Sequence, residues 1–441
     1  MSNNVVSIVR YREPYQSVKE AVEACNGLDH MPSNARVFIK PNIVFWTKAT
    51  RFPKWGVITT SRVIEDMVVL LKEYGIEDII IGEGIVGDSK DTETPAHAFE
   101  TLGYAELNRR YGAKPVNLME SSFEEVDVGD GITLKFSEEI MKSDFVVNLP
   151  VMKSHNQTVI SLGIKNLKGT IDTNSRKKCH SADPEKDLHF FVSRLADKMP
   201  PMFTLVDGIY TLERGPSFDG KMNRKDVLVA SPDVLSADMV GAKVLGHEPT
   251  EVKHLVQAAE TRGRPSDLSD VSVVGEKIED VASYHQHTVK YISDEEKELP
   301  EPLARQGMTG LFYRKFDSTM CTYCSALNGL ILTAIRNAWN GEPFDNVEVL
   351  NGKAMKPTPG MNTTVLLGQC MYRLNKDDPS INNKVSIKGC PPEADKIPEA
   401  FKEAGIQVDE NLFAQKAKLP GYFMARYQDK PEYDESFFQV E

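Results

Sequence analysis

Short apolar runs alternate with stretches of helical period through the first half of the chain. ARVFIKPNIV reads as a buried strand that ends at Lys40-Pro41-Asn42. TSRVIEDMVVLLKEYG places Val63, Met67, Leu70, Leu71 and Tyr74 at helical spacing and stops at Gly75. EDIIIGEG is the next strand, PAHAFETLGYAELNRRYG the next helix, and SDFVVNLPVMKSH a strand that runs into a polar turn. This alternation predicts an α/β fold: mostly parallel sheets flanked by helices.

A second block starts near Met202. FTLVDGIYTLERGP reads as a strand, DVLVASPDVLSADMVGAKVLG as strand, turn and helix, and DVSVVGEKIED as a strand near a domain end. The charged stretch from Glu279 to Pro302 lacks an apolar period and predicts a linker, with His285 and His287 at the surface. From about Gly307, a helix follows Cys-x-x-Cys in CTYCSALNGLILTAIRNAW. Three short strands come next (NVEVLNG, NTTVLLGQC, NKVSIKGC), then the Pro-capped helix PPEADKIPEAFKEAG. The predicted domains are 1–295, which admits two subdomains with a break near 200, and a C-terminal α/β domain over 296–441.

Composition narrows the function classes. The chain has 441 residues, 41% hydrophobic and 26% charged, the balance of a soluble globular protein. A net charge of −12 argues against a general binder of nucleic acid or of an anionic membrane. The N-terminus lacks the pattern of a secretory signal, and no apolar run is long enough to span a bilayer. A cytoplasmic location is expected. In a reducing compartment, clustered cysteines point to metal or redox chemistry more than to disulfides.

Four of the six cysteines fall in the last block: Cys321 and Cys324 in Cys-x-x-Cys, then Cys370 and Cys390 at strand ends. Thiolates are soft donors that suit zinc or an iron–sulfur cluster. Zinc modules usually carry a second close pair, whereas iron–sulfur sites assemble cysteines from distant loops. The spacing therefore favours one 4Fe–4S cluster, with zinc and four metal-free cysteines as the alternatives. Of the remaining two, Cys25 reads as a core residue, and Cys179, next to His180, is left open.

The first block holds a second constellation. Asn148, Lys153, His155, Lys165, Asn166 and Lys168 follow an apolar strand, and Gly163 and Gly169 permit close backbone approach. Three lysines and a histidine there make a donor-rich pocket for carboxylate or phosphate. A lysine near other cations can act as base or nucleophile. Lys165, His155, Lys153 and His180 are the candidate catalytic residues. Lys40, Asn42, Glu83, Asn166, Lys168, Asp207 and Glu213 are the candidate substrate-binding residues. For Asp238, capping and ligation weigh about equally. The plain alternative is a set of solvated loop lysines. No G-x-G-x-x-G follows the first strand and no P-loop is present.

Three resemblances add to this. Cys321-Thr-Tyr-Cys324, Gly368-Gln-Cys370 and Gly389-Cys390-Pro391-Pro392 resemble the 4Fe–4S site of hydrogenase small subunits and of a related respiratory complex I subunit. That resemblance implies a flavodoxin-like cluster-binding domain. Ile39-Lys40-Pro41-Asn42, Asp144 through Pro150 with Lys153 and His155, Lys165-Asn166-Leu167-Lys168-Gly169, Val206-Asp207-Gly208 and Ser236-Ala237-Asp238 are similar to the family named domain of unknown function 362, whose members often carry an iron–sulfur domain. The segment from Ser143 to His180 is similar to part of nickel-dependent lactate racemase, with Lys165 at the position that anchors the nickel-pincer cofactor there, and His155 and His180 at the histidines. The Gly-Gly before that lysine is absent here.

The resulting expectation is an anaerobic oxidoreductase in which the cluster delivers electrons to a substrate or second cofactor in the Lys/His pocket. The alternatives are an isomerase or lyase using proton transfer, with a structural or Lewis-acid cluster, and a non-catalytic electron carrier. The expected partners are a small anionic substrate or cofactor and a redox protein. Neither nucleic acid nor membrane is expected, and self-association is left open, as is a further metal or organic cofactor.

Overall fold

The computed structural model describes residues 4–87, 91–294 and 297–441. The chain divides into two compact units. The first comprises residues 1–176, 189–287 and 420–441, and the second residues 177–188 and 288–419. Two segments therefore depart from the sequence expectation. Residues 420–441 pack in the first unit rather than with the cysteines, and residues 177–188 pack in the second. The expected boundary at 295/296 lies outside the described residues.

The strands of the first unit, in chain order, are β1 (Val5–Arg10), β2 (Val37–Lys40), β3 (Ile79–Glu83), β4 (Lys114–Asn117), β5 (Phe123–Asp127), β6 (Thr133–Ser137), β7 (Phe145–Asn148), β8 (Val151–His155), β9 (Val159–Ser161), β10 (Met202–Gly215), β11 (Lys221–Ser231) and β12 (Ser272–Gly275). Among the described residues the central sheet runs β12-β1-β11-β10-β7-β2-β3-β4, with β8 added beside β10 and β9 beside β8. β10, β7, β2, β3 and β4 are parallel, as are β1 with β12 and β8 with β10. Each of β2, β3 and β7 is buried at every position, which is why these strands read as unbroken apolar runs.

The order of these strands creates a specific crevice. From β2 the chain passes through the helix Ser61–Glu73 to β3 and then β4 on one side. From β7 it continues to β10 on the other side. β2 and β7 lie side by side, with Lys40 opposite Asn148. Their C-terminal ends thus flank a topological switch point, where open α/β sheets bind ligands.

Several local features differ from the sequence expectation. The helix read over residues 95–112 is two helices, Glu93–Thr101 and Tyr104–Tyr111, because Gly103 adopts φ +78° between them. SDFVVNLPVMKSH forms two strands, β7 and β8, and β8 leaves β7 to pair with β10 and β9. His285 is buried, not a surface residue: its Nε2 lies 2.6 Å from Thr211 Oγ1 and its carbonyl accepts from His247 Nε2 at 2.8 Å. The C-terminal segment explains its own placement. Tyr427, Tyr433, Phe437 and Phe438 surround Trp55 and Tyr210, with Trp55–Tyr433 and Tyr210–Phe437 ring centroids 5.3 and 5.6 Å apart.

The second unit contains a hairpin, β13 (Tyr291–Asp294) and β14 (Lys297–Pro300), inside the stretch read as a linker. Its sheet is β15 (Leu311–Tyr313), β16 (Val347–Leu350), β17 (Thr363–Leu367) and β18 (Asn383–Ile387), all parallel. The strands follow one another in chain order across the sheet. A flavodoxin-like sheet has the order 2-1-3-4-5, so the expected parallel α/β character is present without that order. No helix among the described residues is long and apolar enough to cross a membrane.

Candidate functional site

The switch point is built around a buried ion pair. Lys40, the last residue of β2, and Glu83, the last of β3, are 0% and 2% exposed. Lys40 Nζ donates to Glu83 Oε2 at 2.7 Å and to the Pro41 carbonyl at 2.7 Å. Glu83 also accepts the backbone N–H groups of Ile43 and Gly84. Gly169 closes over the pair: a Cβ there would lie 2.5 Å from Glu83 Oε1 and 2.8 Å from Lys40 Nζ. The Arg176 guanidinium holds that loop, donating to the carbonyls of Gly84, Gly169 and Ile171.

An amide network links the strand ends. Asn166 donates to Asn148 Oδ1 at 2.8 Å and to the Lys40 carbonyl at 3.2 Å, and accepts from Asn42 Nδ2 at 2.9 Å. Asn148 in turn donates to the Gly163 carbonyl. Lys153 Nζ donates to Asn42 Oδ1 and to the Val57 carbonyl. Lys40, Asn42, Glu83, Asn148, Lys153 and Asn166 are therefore one connected set, drawn from five separate parts of the sequence.

The electrostatics of this set favour an anionic ligand. Burial pushes Lys153 down to about 7, with the Lys40 charge adding to the effect and Glu83 opposing it. Burial also lowers Lys40 despite its partner Glu83. Lys165, on the short helix Gly163–Asn166, is held well below the usual lysine range by desolvation, then by Lys168 and Lys153. Lys165 keeps part of its surface open, and among the described residues its amine has no hydrogen-bond or ion-pair partner.

The other candidates separate by role. Asp238 caps the Gly163–Asn166 helix, accepting from Gly163 N at 2.6 Å and Ile164 N at 2.9 Å. Asp207 is a structural anchor: its carboxylate accepts from Thr60 N, Thr60 Oγ1 and Ile209 N, fixing the start of the Ser61–Glu73 helix. Glu213 pairs with Lys221 and Asn223 within the β10–β11 hairpin. His155 is buried at the end of β8, and its Nδ1 accepts from Gln157 N at 3.1 Å, which leaves the ring proton on Nε2. His180 belongs to the second unit, unlike Lys153, His155 and Lys165. Arg176 and His254 went unflagged in the sequence. His254 is fully buried on the helix Lys253–Thr261, and the Lys165 charge helps to lower its pKa, behind burial and His189. No motif marks either residue; only the fold brings them to the lysines.

The match with known proteins falls on this site. Residues 37–243 match the family model described as Domain of unknown function (DUF362). The matched region begins in β2 and ends in the helix that carries Asp238, so it encloses the whole Lys40–Lys168 set. The chain is 27% identical over 240 residues to the thylakoid-associated protein sll1697 of Synechocystis sp. (strain ATCC 27184 / PCC 6803 / Kazusa), an alignment covering 54% of this chain and 71% of that protein. Among solved structures, the lactate racemase apoprotein from Thermoanaerobacterium thermosaccharolyticum aligns with a TM-score of 0.32 at 12% identity. That alignment covers 54% of this chain and spans 57% of the racemase chain.

The second unit brings the four cysteines to the C-terminal end of its parallel sheet. Cys321 is the N-cap of the helix Thr322–Ala338, and Cys324 lies in its first turn. Cys370 follows β17 and Cys390 follows β18. Gly368, at φ +95°, faces the gap: a Cβ there would sit 3.7 Å from Cys324 Sγ and 3.8 Å from Pro392. All four thiols are free. Cys321 and Cys324 are hydrogen-bonded and titrate as a pair, the contact pulling Cys321 down and keeping the proton on Cys324. Cys370 and Cys390 also bear electrostatically on Cys324, and Lys353 favours the thiolates of Cys321 and Cys370. Among the described residues, no three His, Cys, Asp or Glu side chains gather as ligands of a single metal ion.

Proposed function

We propose that this chain is an iron–sulfur protein in which Cys321, Cys324, Cys370 and Cys390 hold one 4Fe–4S cluster, while the lysine crevice of the first unit binds a small anionic substrate. The observation that carries this reading is the convergence of four free thiols from three loops on one sheet end. A four-iron cluster needs four thiolates spread more widely than the ligands of one ion. The donor set fits: the helix N-terminus and Lys353 both favour thiolate, and Gly368 turns the chain beside Cys324 at φ +95°, a conformation that favours glycine. When bound, such a cluster supplies one-electron transfer, which makes the chain an oxidoreductase of an anaerobic, cytoplasmic setting. Cys370 and Cys390 are the exposed members and lie on the side open to a redox partner protein.

Lys153 and Lys165 favour a second reading, proton transfer in an isomerase or lyase. Burial pushes Lys153 down to about 7 and holds Lys165 well below the usual lysine range, the direction a general base requires. Alanine at any one of the four cysteines is expected to remove most of the bound iron. Lys165→Ala or His155→Ala is expected to keep the visible absorbance and lose turnover. Unchanged iron content in all four cysteine variants would refute the cluster assignment. An active Lys165→Ala, His155→Ala double variant would place the chemistry elsewhere.

A further inference from the structure

The lysines of the first unit are not equivalent, and their difference assigns a chemistry. Lys40 is locked in an ion pair with Glu83, and Lys153 spends two of its three donors on Asn42 and Val57. Lys165 has no such partner among the described residues, although most of its side chain is enclosed. Its helix is clamped by Asp238 at both Gly163 N and Ile164 N, and Gly163 is closely packed: a Cβ there would lie 2.7 Å from Val234 and 2.8 Å from Asp238. Asn166, the next residue, is fixed by three amide hydrogen bonds. The anchored backbone thus presents an amine on which the charges of both Lys168 and Lys153 act.

We propose that Lys165 is an imine-forming lysine whose substrate is a small 2-oxo acid. Its amine adds to the carbonyl carbon while the substrate carboxylate is held by Lys153 and Lys168. An amine is a nucleophile only when neutral, and burial, with Lys168 and Lys153 beside it, favours the neutral form of Lys165. The same cations need an anion beside them, which the carboxylate supplies and a plain ketone or aldehyde does not. Lys153 retains one donor for it after Asn42 and Val57. The step balances without any co-reactant. The C–N bond forms, the carbonyl oxygen leaves as water with both amine hydrogens, and the imine nitrogen takes one proton from solvent.

This inference deepens the proton-transfer reading of the lysine crevice and is independent of the cysteines. The full chain is incubated with pyruvate and sodium cyanoborohydride, with iron present and after its removal, and the product is read by intact mass and peptide mapping. One reduced pyruvate adduct is expected on Lys165 in both preparations, so cluster loss does not affect the outcome. Its rate should rise less steeply with pH than that of surface lysines, which gain about tenfold per pH unit below their pKa. Lys165→Arg should lose the adduct, and Lys153→Met should keep it only at much higher pyruvate concentration, with circular dichroism confirming that both fold. Adducts scattered over surface lysines, or none on Lys165 at saturating pyruvate, would overturn the proposal.

Discussion

Glu83→Leu is expected to destabilise the protein by about 3–5 kcal/mol, because it strands the Lys40 ammonium in a site with no access to water. Lys40 is 0% exposed and has only the Pro41 carbonyl left once Glu83 is gone. The loss also orphans the N–H groups of Ile43 and Gly84. The double variant Lys40→Met, Glu83→Leu should recover much of that loss, since no buried charge remains. Urea unfolding of the two single variants and the double variant provides the check. A double variant as unstable as the sum of the singles would mean that Lys40 and Glu83 are not energetically coupled and would contradict this account of the pair.

The stability of the unliganded protein is expected to rise between pH 7 and 10. Lys153 stands at about 7 when folded, against 10.5 as its ordinary value. Between these pH values the unfolded chain binds more protons than the folded chain, so alkali favours folding. The penalty is complete below pH 7 and fades as pH rises toward 10.5. Asp238 acts in a separate window with the opposite sign. Its carboxyl is pushed up to about 7 by burial, so its contribution is present below about 4 and lost as pH rises to 7. Lys153→Met should flatten the alkaline rise, removing roughly 2–5 kcal/mol of it. An anionic ligand should flatten it too by restoring the lysine charge, and its binding at pH 8 should take up protons. Calorimetry in buffers of different ionisation enthalpy reads that uptake, and proton release on binding would contradict the account.

The sequence made the strand ends legible because parallel strands buried on both faces appear as unbroken apolar runs, as in VFIK and FVVN. Polar residues just past such runs stand out, and Lys40, Asn42, Glu83, Lys153 and Asn166 do meet in one network. Asp207 has the same local signature as Glu83. Its carboxylate is used to hold Thr60, a long-range contact that no pattern around Asp207 reports. His285 lies in a charged stretch yet is buried by Thr211 and His247, again through contacts distant in sequence. The return of residues 420–441 to the first unit depends on aromatic packing around Trp55, and its spacing has neither helical nor strand period. The four cysteines stand out in the sequence by residue type, and separate segments of the second unit carry them to the C-terminal end of its sheet.

Anaerobic iron and acid-labile sulfide analysis, combined with electron paramagnetic resonance before and after dithionite reduction, tests the central claim most directly. Brown protein is expected, with about four irons and four sulfides per chain, silent as isolated and paramagnetic when reduced. Colourless protein free of iron and sulfide, or stoichiometric zinc on the four cysteines, would contradict it.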